Sequence, residues 1–185
     1  SDHTDRRAWL KFDLRAIPST IPPGNWDNNN LQARLYAYCF GMLGARGKNV
    51  QCYGVDNDNW WEENITWNTQ HGSPGSPGLP ATYLSTTAIT DTDAWYCWDV
   101  TSFVRSQLGK KATIGDNFVT FYLRAENENL SWPDNFAYVF YPYNEEKENW
   151  RLIYLAIGYD VDTWIAPAYG EAMQGGTASF NVRMM

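Results

Sequence analysis

The chain has 185 residues, with 21 acidic and 14 basic side chains and a net charge of −7 at pH 7. This length predicts one domain with a core of its own. The acidic balance argues against nucleic acid and anionic membranes as partners, because both need a basic surface. No apolar stretch approaches the roughly 18 residues of a membrane span. Aromatic residues make up 16% of the chain, although the mean hydropathy is −0.51, a combination that suits β-sheets.

Alternation of apolar and polar residues recurs along the chain between turn-rich spacers. It predicts an all-β fold, an antiparallel jelly-roll-like β-sandwich. The predicted strands cover residues 8–14, 31–39, 50–55, 81–89, 94–100, 117–125, 136–141 and 150–159. The clearest one places Leu31, Ala33, Leu35, Ala37 and Cys39 on a single face.

One short helix is predicted at TSFVRSQLGK, which begins at residue 101. Thr101 or Ser102 can cap its first turn, and Gly109 is expected to end it.

The end of the chain has a pattern of its own. We expect a sandwich domain over residues 1–160 and a C-terminal arm over 161–185, which ends in a strand-like segment at 176–185. The apolar face of that segment consists of Ala178, Phe180, Val182 and Met184. Such a strand can add to the edge of a sheet.

Catalytic machinery is not evident in the sequence. Only His3 and His71 exist, and neither stands beside a nucleophile motif, which a Ser-His-Asp arrangement needs. The many carboxylates always offer pairs for glycoside hydrolysis, but none has a distinguishing context. We therefore predict a non-enzymatic protein without a cofactor.

A weak calcium site is one interpretation of the run Asp56, Asn57, Asp58 and Asn59, because calcium prefers oxygen ligands. Asx-rich turns are also common without metal. Cys39 and Cys52 face the same way on strands joined by one hairpin, so they are a weak candidate for a disulfide. The favoured interpretation is that they are buried free thiols.

Several residues indicate an extracellular protein that contacts sugars. The sequons at Asn64 and Asn129 can carry glycans on an exported chain. Aromatic side chains in or beside loops can stack on sugar rings, although packing within the protein is the commoner use of any one of them. The candidates are Trp26, Trp60, Trp61, Trp132, Tyr141 and Tyr143.

Four segments together resemble a known group of modules: RRAWLKFDLRAIP (6–18), QARLYAY (32–38), WWEENITWN (60–68) and WYCWDVTSFV (95–104). Over roughly residues 6–158, the chain is similar to disaggregatase-related and DNRLRE-type surface domains and to alginate-binding carbohydrate-binding modules. The resemblance implies a jelly-roll sandwich with a non-catalytic role at the cell surface. It also implies that Trp67 and Trp98 anchor the core and that Asp99 fixes the turn into the helix.

The chain departs from this group at both ends. Members have a further strand before the motif that starts here near residue 9, and they lack the strand-like tail. A missing strand exposes a sheet edge that a free strand can fill. We therefore expect a structural subunit that assembles with copies of itself into a filament, sheath or surface layer by donating its tail. The alternative is a carbohydrate-binding module of a cell-surface or polysaccharide-degrading protein. Whether the tail acts within its own molecule or in a neighbour stays open.

Overall fold

The structure is a computed structural model that describes residues 7–15, 17, 31–44, 46–58, 60, 81–127, 136–140, 153–159, 162–169 and 180–183. These ranges contain ten strands and one helix. The strands are β1 (Arg7–Asp13), β2 (Leu31–Gly44), β3 (Lys48–Val55), β4 (Ala81–Ile89), β5 (Ala94–Asp99), β6 (Phe118–Ala125), β7 (Phe136–Phe140), β8 (Tyr154–Tyr159), β9 (Asp162–Tyr169) and β10 (Phe180–Arg183). Helix α1 (Thr101–Ile114) lies between β5 and β6.

The strands form two antiparallel layers, which confirms the prediction of an all-β sandwich. The front sheet has the order β4-β3-β6-β1. The back sheet has the order β8-β2-β5, with β7 also paired to β2 and β10 paired to β9. Strand β9 joins the layers, because residues 162–167 pair with β8 and residues 168–169 pair with β1.

The core lies between the inward faces of the two sheets, where the alternation of the sequence places it. All five apolar residues predicted to share one face of β2, from Leu31 to Cys39, are fully buried. Trp98 of the back sheet donates a hydrogen bond from its indole Nε1 to the carbonyl of Val50 in the front sheet, at 2.8 Å. Trp98 is therefore the core anchor that the resemblance implied. Trp67 lies outside the described residues.

Helix α1 is longer than predicted. It runs past Gly109 to Ile114 and ends at Gly115, whose φ of 74° lies in the left-handed region that glycine adopts freely. The N-cap residue is Val100 instead of the predicted Thr101 or Ser102, and its side chain makes no capping hydrogen bond. The Asp99 carboxylate instead accepts a hydrogen bond from the Thr101 amide at 2.9 Å. This contact confirms the role expected for Asp99. No helix among the described residues is long and apolar enough to cross a membrane.

The interpretation of Cys39 and Cys52 as a cross-strand disulfide is wrong. Strands β2 and β3 belong to different sheets, so Cys39 lies opposite Ala94 and Cys52 lies opposite Ser85. Both thiols are free and buried, and burial raises the pKa of the Cys52 thiol above its usual range. The favoured reading of two buried thiols is therefore confirmed.

The C-terminal part of the chain contributes strands to the sandwich. Strand β9 covers part of the β1 edge, where Lys11 and Phe12 lie opposite Tyr169 and Ala168. The tail residues 180–183 form β10, which pairs with β9 of the same chain. The division at residue 160 and the donation of the tail to a neighbouring molecule stay predictions.

Candidate functional site

Four aromatic side chains stand in register on the outer face of the front sheet, one on each strand. Tyr83 of β4 lies opposite Tyr53 of β3, and Tyr53 lies opposite Tyr122 of β6. Tyr122 in turn lies opposite Trp9 of β1. We call these four residues the front aromatic row. Inward residues of the same strands, such as Phe12 and Phe121, fill the core, so alternation directs the row outward.

The middle of the row is a stack of upright rings. The ring centroids of Tyr53 and Tyr122 lie 4.9 Å apart with planes inclined by 3°, and those of Trp9 and Tyr122 lie 5.0 Å apart at 30°. This spacing matches the distance between neighbouring strands, so the rings face one another across the gap and point their edges outward. Tyr122 is only 2% exposed. It therefore supports its neighbours rather than offering a ring face to a ligand.

Tyr83 at the end of the row is oriented differently. Its ring is turned by 72° from that of Tyr53 at a centroid distance of 5.7 Å. Its hydroxyl lies 2.9 Å from the hydroxyl of Thr86, three residues further along the same strand. To reach Thr86 the ring must lie down along β4, which leaves one of its faces towards solvent. The exposed fraction of 52% agrees with this orientation.

A polar row runs beside the aromatic row, two residues away on each of three strands. It consists of Gln51, Arg124 and Arg7, which lie opposite one another on β3, β6 and β1. Arg124 donates hydrogen bonds from its Nη2 to the hydroxyl of Tyr53 at 2.8 Å and to the Gln51 side chain at 3.2 Å. The guanidinium of Arg124 lies 4.8 Å from the Tyr53 ring centre, and that of Arg7 lies 5.8 Å from the Tyr122 ring centre. Two cationic groups are thus held beside the rings of the front aromatic row.

The segment after β3 brings Trp60 to the other end of the row. Lys11 of β1 donates hydrogen bonds to the carbonyls of Asp58 and Trp60, both at 2.6 Å. The indole Nε1 of Trp60 donates to the hydroxyl of Thr120 on β6 at 2.9 Å. With its backbone and ring both attached to the sheet, Trp60 meets Trp9 edge to face at a centroid distance of 5.9 Å.

Asp58 in this segment is half-buried, and one of its carboxylate oxygens is fully enclosed. Its Oδ1 accepts a hydrogen bond from Thr120 at 2.5 Å, while its Oδ2 is buried without a hydrogen-bond partner. Burial is the main cause that raises the pKa of Asp58 to about 6, and the charge of Asp116 adds to it. The Thr120 hydrogen bond and the charges of Lys11 and Lys110 oppose the rise. The ionised form is thus costly at neutral pH.

The calcium candidates Asp56 and Asp58 do not share a pocket of acidic ligands in the described part of the chain. Asp56 accepts hydrogen bonds from Lys110 and Gln107, both at 2.7 Å. No group of three or more His, Cys, Asp or Glu residues suited to a metal exists among the described residues. The neighbouring lysine already supplies the positive charge at Asp56, so the weak calcium prediction gains no support.

Among the predicted sugar-contacting aromatics, the structure describes Trp60 and places it half-buried at the end of the front row. Of the predicted tail residues, Phe180 and Val182 lie in β10, opposite Ile165 and Thr163. The remaining candidates lie outside the described residues: Trp26, Trp61, Trp132, Tyr141, Tyr143, the sequons at Asn64 and Asn129, and the tail residues Ala178 and Met184.

Sequence reasoning missed the front row because it searched the loops for exposed aromatics. Trp9, Tyr53 and Tyr122 occur within strands, at the phase of the alternation that is normally polar. An aromatic at an outward position of a two-layer sandwich is the signal that identifies such residues. Their alignment in one row follows from the register between strands that are distant in the sequence.

A sheet face with aromatic rings beside hydrogen-bonding side chains is suited to sugars, which offer apolar ring faces and hydroxyl groups. Together with the sandwich fold, this surface is typical of a carbohydrate-binding module. The chain belongs to carbohydrate-binding module family 96, whose model matches residues 1–136. No curated protein matches the chain.

Family membership bears on several expectations from the sequence. It supports the carbohydrate-binding part of the resemblance, and the narrower disaggregatase-related label stays a prediction. It also agrees with a non-enzymatic role, since modules of this kind bind sugars and do not cleave them. The whole front row and the polar row fall within the matched residues. The carbohydrate-binding module is thus the better supported of the two functions expected from the sequence.

Proposed function

We propose that the chain binds an acidic polysaccharide across the outer face of the front sheet. The observation that carries this proposal is the placement of Arg7 directly opposite Arg124, beside the front aromatic row. Two neighbouring guanidinium groups suit an anionic ligand, because both can form charge-assisted hydrogen bonds with its carboxylates.

The aromatic row and the polar row bind different parts of the polysaccharide. The exposed ring face of Tyr83 stacks on the apolar face of a sugar ring, while the half-buried rings of Tyr53, Trp9 and Trp60 extend the apolar surface across the sheet. Arg7 and Arg124 form charge-assisted hydrogen bonds with carboxylates, and Gln51 serves neighbouring hydroxyls. Upright and stacked rings keep this surface rigid, so little entropy is lost when the ligand binds.

Affinity electrophoresis in gels that contain alginate or polygalacturonate tests the proposal. The wild-type chain should be retarded, and Tyr83→Ala should bind roughly three- to tenfold more weakly, as expected for a lost contact of about 0.5–1.5 kcal/mol. The matched control is Ile114→Ala, which removes another exposed apolar side chain, 74% exposed on α1. Retardation that is equal for Tyr83→Ala and wild type would refute the placement of the site.

A second pair of variants tests the charge. Arg7→Ala should weaken binding about tenfold or more at low salt, because hydrogen bonds to charged groups are stronger than neutral ones. The control Arg46→Ala removes the same charge at an exposed position beside Asp91. Added salt should weaken wild-type binding more steeply than that of Arg7→Ala. Equal effects of the two variants would show that only the net charge matters.

Polysaccharide binding fits an extracellular or cell-surface location, which we propose with it. The other function expected from the sequence is a structural subunit that donates residues 176–185 to a neighbour, in which Phe180–Arg183 form a strand. It is disfavoured by the pairing of these residues with β9 of their own chain. Removal of residues 176–185 should leave polysaccharide binding intact. Loss of an oligomer on that deletion, measured by light scattering, would instead favour strand donation.

A further inference from the structure

A second aromatic surface occupies the opposite side of the sandwich, on the outer face of the back sheet. It consists of Tyr36 and Tyr38 of β2, Trp95 of β5 and Tyr154 of β8, and we call it the back aromatic cluster. Tyr36 lies opposite Tyr154, and Tyr38 lies opposite Trp95. The inward neighbours Leu35, Ala37 and Leu155 are fully buried, so these four side chains point away from the core.

Trp95 lies flat on this sheet. The rings of Tyr36 and Tyr154 are 4.9 Å apart and inclined by 15°, so they stand upright between neighbouring strands. The indole of Trp95 nevertheless reaches to 5.3 Å from Tyr154 at an angle of 65°. Strands β5 and β8 lie on opposite sides of β2, roughly 9.6 Å apart. The indole must therefore lean across β2, where it also meets Tyr38 at 5.4 Å.

The flat indole offers an open ring face with polar groups beside it. Trp95 is 37% exposed. Arg34 and Asp99 lie opposite each other on β2 and β5, on the same outer face, and both are exposed. Arg34 stands two residues from Tyr36, about 7 Å along the strand. One group donates hydrogen bonds and the other accepts them, and their charges are opposite.

We infer that the back aromatic cluster is a second carbohydrate site, which binds a neutral polysaccharide. This second site rests on the proposed function, because it takes the domain to be a carbohydrate-binding module. The ring face of Trp95 suits the apolar face of a hexose, and the Arg34–Asp99 pair suits hydroxyls rather than carboxylates. The front surface, with two opposed arginines, has the opposite preference. The domain then joins an acidic chain on one face to a neutral chain on the other.

The small exposed area argues against a second copy of the chain as the occupant. In the described part of this face, the large apolar side chains above one-third exposure are Trp95 and Phe40, at 37% each, and Leu43, at 70%. Together they offer on the order of 300 Å² of apolar surface, whereas a stable interface buries about 800 Å² on each partner, roughly half of it apolar. A single sugar ring needs little more than one aromatic face and a few hydrogen-bonding groups.

Affinity electrophoresis of the full chain in gels with glucomannan, galactomannan or xyloglucan tests this inference. We expect retardation by at least one of these neutral polymers, a loss of tenfold or more in Trp95→Ala, and partial recovery in Trp95→Phe. The matched control Leu43→Ala removes an apolar side chain of β2 that is 70% exposed, and it should behave like wild type. Thermal unfolding of each variant confirms that it folds.

The cross-comparison separates the two sites. Tyr83→Ala should lose affinity for alginate and keep its affinity for the neutral polymer, whereas Trp95→Ala should do the reverse. Binding of acidic polymers alone, or neutral binding that is unchanged in Trp95→Ala, would overturn the second site and leave the proposed function standing. Neutral binding that depends on Trp95 without any acidic binding would overturn the front site instead. A dimer that Trp95→Ala dissociates, with no neutral binding, would identify a second copy as the occupant and overturn the inference.

Discussion

The indole nitrogen of Trp98 in the back sheet donates a hydrogen bond to the carbonyl of Val50 in the front sheet, at 2.8 Å. Trp98 is fully buried. The bond links the two layers through the core and satisfies a polar group that could not reach water.

Replacement of Trp98 by Phe should lower the free energy of unfolding by about 2–4 kcal/mol. The change removes the hydrogen bond, leaves the carbonyl of Val50 without this partner, and opens a small cavity. Urea denaturation followed by circular dichroism measures the loss. Trp95→Phe, on the outer face, should change stability by less than 1 kcal/mol, and a comparable loss in both variants would contradict the special role of Trp98.

A second prediction concerns the contact between Gly54 and Phe103, where α1 packs on the front sheet. A Cβ atom added at Gly54 would lie 2.6 Å from the Phe103 ring, so Gly54→Ala should destabilise the fold by about 1–3 kcal/mol through overpacking. The control is Gly109→Ala, because nothing lies within 4 Å of that position. Alanine favours the helix interior, so this variant should gain about 0.5–1 kcal/mol.

A double variant checks that steric conflict is the cause. Phe103→Leu should relieve part of the steric conflict that Gly54→Ala creates. The double variant should therefore lose less unfolding free energy than the sum of the losses in the two single variants. Strict additivity of the two unfolding free energies would mean that the ring is not what limits residue 54.

The pH dependence of the free energy of unfolding should reflect the raised pKa of Asp58. Its pKa of about 6 in the fold, caused mainly by burial, lies above the usual value of 3.8. A raised carboxyl pKa stabilises the fold below the unfolded pKa, and that stabilisation is lost as the pH rises from about 4 through 6. Asp58→Asn should therefore be more stable than wild type at pH 8 by about 1 kcal/mol, once solvent screening is allowed for. The difference should disappear near pH 3.

Asp56 provides a control of opposite sign two residues away. A hydrogen bond from Lys110 is the main cause that lowers the pKa of Asp56, against the effect of burial. A lowered carboxyl pKa stabilises the fold above the unfolded pKa, and the effect is lost as the pH falls. Asp56→Asn should thus be less stable than wild type at neutral pH and equal to it in acid. Matching pH profiles for the two variants would rule out the assignment of Asp58.

Thiol chemistry distinguishes the three cysteines. Cys39 and Cys52 are buried, whereas Cys97 is half-buried on the outer face of β5. A thiol reagent such as 5,5′-dithiobis(2-nitrobenzoic acid) should modify Cys97 in the folded chain, whereas Cys39 and Cys52 should react only after denaturation, because reaction needs an accessible thiolate. Cys97→Ser should abolish the early phase. One thiol instead of three in the fully denatured, unreduced chain would restore the disulfide interpretation.

Much of the fold follows from local pattern. The alternation along β2 predicted which residues face the core, from Leu31 to Cys39, because burial of one sheet face requires a period of two. The step from Trp98 and Asp99 into a helix was also predictable, since an acceptor just before a helix satisfies its free amides. The end of the helix was not, because a glycine inside a helix costs only about 1 kcal/mol, which packing of the helix can outweigh, so α1 continues past Gly109 to Ile114.

The candidate sites depend on pairings that no local pattern contains. The sequence suggested that Cys39 and Cys52 lie on paired strands of one hairpin. The short connection between these strands instead crosses from one sheet to the other. The same long-range pairing brings Tyr83, Tyr53, Tyr122 and Trp9 into one row, although 9 and 83 lie far apart in sequence. The sequence therefore determines the class of fold and the inward face of each strand. The register between distant strands, which arises when the two layers pack, determines which outward side chains meet and form a surface for sugars.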